Sequence, residues 1–136
     1  MYNCSLLKFK NFSDQYGTLV PIESKIDVPF EIKRIYYIFN VEHDICRGFH
    51  AHRSLHQVLI CLKGSVKIRV KNPDSEEIIE LNDPSVGLYI GSYIWREMFN
   101  FTEGSVLLVL ASEYHDENDY IRNYDFYLKE AENRFR

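Results

Sequence analysis

Between Val66 and Lys71 the sequence VKIRVK sets Val66, Ile68 and Val70 on one side of an extended chain and Lys67, Arg69 and Lys71 on the other. That period of two is the mark of a strand with one buried face. The same pattern predicts strands in CSLLKFK, TLVPIES, IKRIYYIFNV, GFHAHRS, QVLICLKG, SVKIRVKN, EEIIEL, VGLYIG, WREMFNFT and GSVLLVLAS. Turn chemistry separates them at Tyr16-Gly17, Lys63-Gly64, Asn72-Pro73-Asp74, Asn82-Asp83-Pro84 and Glu103-Gly104. Many short strands punctuated in this way predict an all-β sandwich or barrel. Only the tail, DENDYIRNYDFYLKEAENRFR, departs from it. Acids at its start, Tyr120, Tyr124 and Tyr127 at i, i+4, i+7, and Arg134 and Arg136 at its end predict a helix lying across one sheet with its tyrosines in the core.

A chain of 136 residues, 46% hydrophobic and 15% aromatic, can bury a core for one domain over residues 1–136 and is too short for two. Its net charge of −4 comes from interspersed signs with no basic block, which argues against a nucleic-acid partner. No apolar run approaches the ~20 residues needed to cross a bilayer, so no membrane role is expected. Cys4, Cys46 and Cys61 are odd in number and unpatterned, and MYNCSLLKFK lacks the features of a signal peptide. These features predict a cytoplasmic protein.

The segment RGFHAHRSLHQ is the chemical focus. Strand parity puts His50 and His52 on one face, with Ser54 and His56, while Phe49, Ala51 and Arg53 point the other way. Two imidazoles side by side on an inward face either bind something or titrate against each other. Metal binding, acid/base chemistry and plain packing are the three readings.

The run GFHAH, the Gly64 turn and the later GLYIGSYIWREM resemble the two strand motifs of the cupins, small jelly-roll β-barrels. Metal-binding cupins follow their two histidines with a glutamate and carry a further histidine in the second motif. Here His56 or Gln57 stands in the glutamate's place and Arg96 in the last histidine's. A guanidinium has no lone pair to give and repels a cation. A zinc site of His50, His52 and His56 remains the alternative, but acid/base chemistry without a metal or other cofactor is favoured. Over nearly the whole chain, PFEIKRIYYIF, RGFHAHRSLHQVLICLKGSVKIRV, LNDPSVGLYIGSYIWREMFNF and VLLVLASEYHDENDYIRNYDFYLKE closely resemble the dTDP-sugar 3,4-ketoisomerases. The resemblance implies a cupin jelly roll with a C-terminal helix, a dTDP-sugar substrate, and metal-independent conversion of dTDP-4-keto-6-deoxy-glucose to its 3-keto isomer. It also implies a homodimer that exchanges its N-terminal strand, YNCSLLKFK here.

Such a reaction needs a base at carbon 3, an acid at carbon 4 and donors for the charge that builds on the two oxygens. The family pattern implies His52 as the base and His50 as the proton shuttle, an order that can be reversed. Arg96 and Tyr36 are the candidate donors, although parity turns Tyr36 and Tyr37 opposite ways and leaves open which faces inward. The diphosphate selects among Arg34, Arg47, Lys67 and Arg69, since guanidinium forks suit its oxygens. His43 and His115 are expected in solvent, and His56 at the edge of the site. The resemblance further ties Tyr16 and Arg96, in QYG and WRE, to a product of gluco configuration. Competing readings are a non-catalytic sugar-nucleotide-binding cupin, a 3,5-epimerase of the same fold and a metal-dependent oxygenase.

Overall fold

The structure, a computed structural model, describes residues 1–135, so Arg136 lies outside the described residues. Twelve strands run in order: β1 (Cys4–Lys8), β2 (Phe12–Asp14), β3 (Gly17–Leu19), β4 (Arg34–Phe39), β5 (Arg47–His52), β6 (Gln57–Lys63), β7 (Val66–Lys71), β8 (Glu76–Leu81), β9 (Val86–Ile90), β10 (Trp95–Phe99), β11 (Val106–Ala111) and β12 (Tyr120–Ile121). One helix, α1 (Tyr124–Ala131), follows them. The strands form two five-stranded sheets, ordered β1-β9-β6-β11-β4 and β12-β5-β10-β7-β8, with β2 and β3 as a separate hairpin. This is the expected all-β jelly roll, and the alternation that predicted it also builds its core. Val66, Ile68 and Val70 are fully buried between the sheets against Leu59, Leu88, Ile90 and Leu107. Each such side chain contributes roughly 1.5–3 kcal/mol on leaving water.

The apolar run Val58–Leu59–Ile60–Cys61 is buried on both faces. Leu59 and Cys61 face the barrel interior. Val58 and Ile60 face outward and are covered by Val28 and Phe30, from the long connection before β4. The third cluster lies outside the second sheet, where Tyr127 and Ala131 of α1 pack on Ala51, Trp95 and Ile121.

Strand β1 pairs with β9, from Cys4↔Ile90 to Lys8↔Val86. The element that projects is the β2–β3 hairpin, where Phe12, Tyr16 and Leu19 are 63%, 88% and 60% exposed. The tail is not one helix. Residues 117–119 form a 3₁₀ turn whose N-cap is Asp116, its side chain accepting from the Asn118 amide, and Asn123 caps α1 by accepting from the Phe126 amide. Between these turns β12 pairs with β5 as Tyr120↔His52 and Ile121↔Ala51. Tertiary pairing overrides helical periodicity there, so Tyr120 leaves the tyrosine stripe for the barrel mouth. Lys67 and Arg69 lie on the outer face of β7, opposite Val66 and Ile68. Arg69 is paired there with Glu97 (2.9 Å) and Glu76 (3.7 Å), and both residues lie on the opposite face of the sheet from His50 and His52.

Candidate active site

The inward residues of four strands converge at one end of the barrel: Arg34 and Tyr36 from β4, His50 and His52 from β5, Gln57 from β6 and Arg96 from β10. In β10 Arg96 lies opposite His50, and the register shifts between Arg96 and Glu97. The bulge holds Phe49 at φ 58° and Gly48 at φ 92°. A Cβ at Gly48 would stand 2.9 Å from the Arg96 carbonyl, so glycine is required there. Left-handed backbone is rare for a bulky side chain such as Phe49, and marks strain held beside the histidines.

His50 and His52 meet edge to face with ring centroids 4.8 Å apart. Tyr120 covers both, 5.0 Å from His50 and 4.3 Å from His52. The two rings open into different cavities. One, of about 560 Å³, is walled by His52, Asp119, Tyr120, Tyr114, His115 and Arg34, among others. The other, of about 390 Å³, is walled by His50, Tyr36, Arg47, Arg122, Arg34 and Tyr120, among others. Arg34 and Tyr120 border both.

Parity settles the tyrosines, because Tyr36 packs against the core and lines the second cavity while Tyr37 is 63% exposed. Arg34, whose guanidinium lies 5.2 Å from the centre of the Tyr36 ring, keeps a buried Nε without a protein partner. Arg47 helps wall the second cavity. Tyr16 lines neither cavity of its own chain.

Arg96 is 1% exposed and is not among the residues that wall the two cavities. Its guanidinium donates to Gln57 Oε1 at 2.6 Å and to the Ile94 carbonyl at 2.9 Å, while Nε has no partner. Neither acceptor is a carboxylate, and burial lowers its pKa to about 10. The cation therefore acts on the site through its field.

That field and burial set the histidines. Burial first, then Arg96, pushes His50 down to about 3 and His52 lower still, so both are neutral near pH 7. Asp119 Oδ2 stands 3.3 Å from His52 Nδ1, but neither ring nitrogen of His52 makes a hydrogen bond. The carboxylate is already occupied by the Ser54 and Leu55 amides, at 2.8 and 3.1 Å. With the ring neutral the contact is not an ion pair, and it becomes one only when His52 takes up a proton. A histidine whose folded pKa is depressed contributes stability fully present above its unfolded value near 6.5 and lost as pH falls toward its folded pKa. The wild type is expected to lose up to about 1.4 kcal/mol per pH unit for each of the two histidines below pH 6.5. Urea midpoints from pH 7.5 to 5 check this, and His52→Asn should flatten the slope. An unchanged slope would mean that the ring is not held neutral by the fold.

The other histidines divide differently from expectation. His56 Nδ1 is bonded to the Tyr89 hydroxyl at 2.7 Å and its ring stacks on Tyr89, so it does not join His50 and His52. The described residues contain no group of three or more His, Cys, Asp or Glu placed to hold a metal ion, and the three-histidine zinc arrangement is not formed. His43 is exposed, with Nδ1 3.1 Å from the Phe101 carbonyl oxygen. His115 is not simply solvated but helps wall the first cavity. Sequence reasoning missed Asp119, Tyr120 and Arg122, all carried in by residues 116–122. Arg122 stacks 4.2 Å over Tyr120 and brings a third guanidinium to the second cavity beside Arg34 and Arg47.

The chain matches the family described as "FdtA: WxcM-like, C-terminal" over residues 2–132. It is 47% identical, over 91% of its length and 89% of the relative's, to the TDP-4-oxo-6-deoxy-alpha-D-glucose-3,4-oxoisomerase of Aneurinibacillus thermoaerophilus. The sugar 3,4-ketoisomerase QdtA of Thermoanaerobacterium thermosaccharolyticum, solved with TDP, is 70% identical with a TM-score of 0.98 over 100% of this chain and 99% of that one. A histidine-to-asparagine mutant of the same protein, solved with TDP-4-keto-6-deoxyglucose, gives a TM-score of 0.97 at 70% identity over 99% and 98% of the two chains. The TDP-quinovose 3,4-ketoisomerase WlaRB of Campylobacter jejuni is 48% identical with a TM-score of 0.92 over 95% and 99%.

Proposed function

We infer the reaction from the premise that this chain belongs to the FdtA family, WxcM-like C-terminal, whose description covers residues 2–132. It is a TDP-sugar 3,4-ketoisomerase, acting on TDP-4-keto-6-deoxyglucose. The observation that carries this reading is the pair of neutral imidazoles 4.8 Å apart above a buried cation that has no carboxylate hydrogen-bonded to it.

In the reaction one hydrogen leaves carbon 3 and one arrives at carbon 4, while the oxygen on carbon 3 loses a proton and the oxygen on carbon 4 gains one. His52 takes the carbon 3 proton. Asp119, 3.3 Å from its Nδ1, favours the imidazolium that results and so supports this assignment over the reverse. The electron pair forms the carbon 3–carbon 4 double bond and leaves negative charge on the oxygens, which the Arg96 field and the Tyr36 hydroxyl stabilise. His50 relays protons between the oxygens and carbon 4. Arg34, Arg47 and Arg122 hold the diphosphate.

The product is assigned the gluco configuration on the resemblance carried by Tyr16 and Arg96. Incubation with TDP-4-keto-6-deoxyglucose in deuterated water with excess EDTA tests the whole reading by NMR. The expected result is undiminished turnover, deuterium at carbon 4, a ketone at carbon 3, and a large diaxial coupling between the carbon 4 and carbon 5 protons once undeuterated product is trapped by a 3-aminotransferase. A ketone that stays at carbon 4 would indicate epimerisation, a small coupling the galacto product, and inactivity in EDTA a metal-dependent enzyme.

The active form is a homodimer that exchanges its N-terminal strand, next to which the β2–β3 hairpin projects with Tyr16 at its tip. Light scattering at micromolar concentration should give twice the chain mass. A monomeric mass counts against the exchange. No helix among the described residues is long and apolar enough to cross a membrane, and the unpaired Cys4, Cys46 and Cys61 fit action in the cytoplasm.

A further inference from the structure

Gln57 lies 2% exposed at the start of β6, with its side-chain amide set between Arg96 and Tyr36. Arg96 Nη1 donates to Gln57 Oε1 at 2.6 Å, and Gln57 Nε2 donates to the Tyr36 hydroxyl oxygen at 3.0 Å. The direction of this chain is forced. A guanidinium only donates, so the amide cannot flip without turning its own NH₂ against the Arg96 N–H groups. Gln57 must then donate to Tyr36, whose hydroxyl accepts that bond and keeps its own hydrogen for another acceptor. The Tyr36 ring lines the cavity into which His50 opens.

We propose that Gln57 is a positioning residue for the isomerisation: locked by the buried Arg96, it fixes the Tyr36 hydroxyl as a hydrogen-bond donor toward the oxygens of the enediolate. The proposal rests on the reading of Tyr36 as the cavity-facing donor and adds the device that gives that donor its direction. Arg96 thereby gains a second influence on the chemistry, since it holds the amide that decides which way the phenol points. Burial raises the Tyr36 pKa, which keeps the phenol protonated at neutral pH and able to donate.

The test reverses the chain. In Gln57→Glu the introduced carboxylate accepts from Arg96 and from the Tyr36 hydroxyl alike, which takes the hydrogen away from substrate. The kcat is expected to fall about 10²-fold, the effect of losing one donor to a developing oxyanion. KM should move by only a few-fold, and the thermal midpoint should hold or rise because Arg96 gains a partner. Tyr36→Phe should show a similar loss. The Gln57→Glu change should cost at least tenfold less in a Tyr36→Phe background than alone, because residues that act through one group are not additive. Near wild-type kcat in Gln57→Glu, with Tyr36→Phe slow, would overturn the proposal and leave the Tyr36 reading intact. Wild-type kcat in Tyr36→Phe would overturn that reading itself. If the carboxylate variant does not fold, Gln57→Asn, whose amide is shorter by one methylene, serves in both backgrounds. Equal losses in the two would show that Gln57 acts through packing alone and would overturn the proposal.

Discussion

Replacing His50 or His52 with asparagine is expected to slow turnover by about 10²–10⁴, the usual loss when a positioned acid or base is removed. TDP should still bind within a few-fold of the wild type. Asparagine approximates the polarity of the imidazole and part of its volume, but has no proton to exchange near neutral pH. Of the arginines assigned to the diphosphate, Arg34 and Arg122 belong to other elements and Arg47 stands at the far end of β5, so all three keep their places. Because both rings are held neutral by burial and Arg96, the acid limb of kcat/KM in the wild type should lie well below pH 6.5. Steady-state rates with calorimetry on TDP check both parts. A variant with near wild-type turnover would remove that histidine from proton transfer, and lost TDP binding would recast it as a binding residue.

Tyr127→Ala is expected to have the largest effect on stability. The ring is fully buried, and its hydroxyl donates to the Tyr93 carbonyl at 2.8 Å and the Lys71 carbonyl at 3.1 Å. It packs against Trp95 and Tyr124 at centroid distances of 5.6 and 5.8 Å. Removing a buried aromatic side chain costs about 3–5 kcal/mol. For a chain of this size that lowers Tm by on the order of 10 °C. Activity should fall as well, since α1 is the platform beside which β12 carries Tyr120 to the histidines. Tyr127→Phe, which keeps the ring and loses only the hydroxyl bonds, should cost about 1 kcal/mol. Thermal unfolding of both variants decides the matter: a loss under about 1 kcal/mol for the alanine variant would mean that α1 is not fixed through this residue.

The long strands were legible in the sequence because their alternation is the packing itself. The side chains that β7 buries are the ones its period selects, and the same parity brings His50 to His52 and separates Tyr36 from Tyr37. What could not be read were relations between distant segments. Gln57 shares the glutamate's place with His56 in the sequence, and its hydrogen bonds become visible only when Arg96 and Tyr36 are placed beside it. Tyr120 fits a helical stripe with Tyr124 and Tyr127, and only its pairing with His52 removes it from that helix. Asp119 lies in an acidic run where nothing local distinguishes it from a solvated neighbour. Lys67 and Arg69 were assigned correctly to one face of their strand, but the alternation does not reveal that the site occupies the other.

The stretch from Glu113 to Tyr120 supplies six of the ten residues around the first cavity, whereas the strands beneath supply the imidazoles and the buried cation. That division separates what must be inherited intact from what can drift. A lineage could rewrite these few positions, trading Tyr114 or His115 for other shapes, and admit a differently decorated sugar without disturbing the interior that makes the barrel fold. An exchange at Arg96 or Gln57, by contrast, alters charge and hydrogen bonding in the interior at once and so bears on the chemistry itself. Divergence in sugar decoration among descendants of such a protein should therefore collect in this short run.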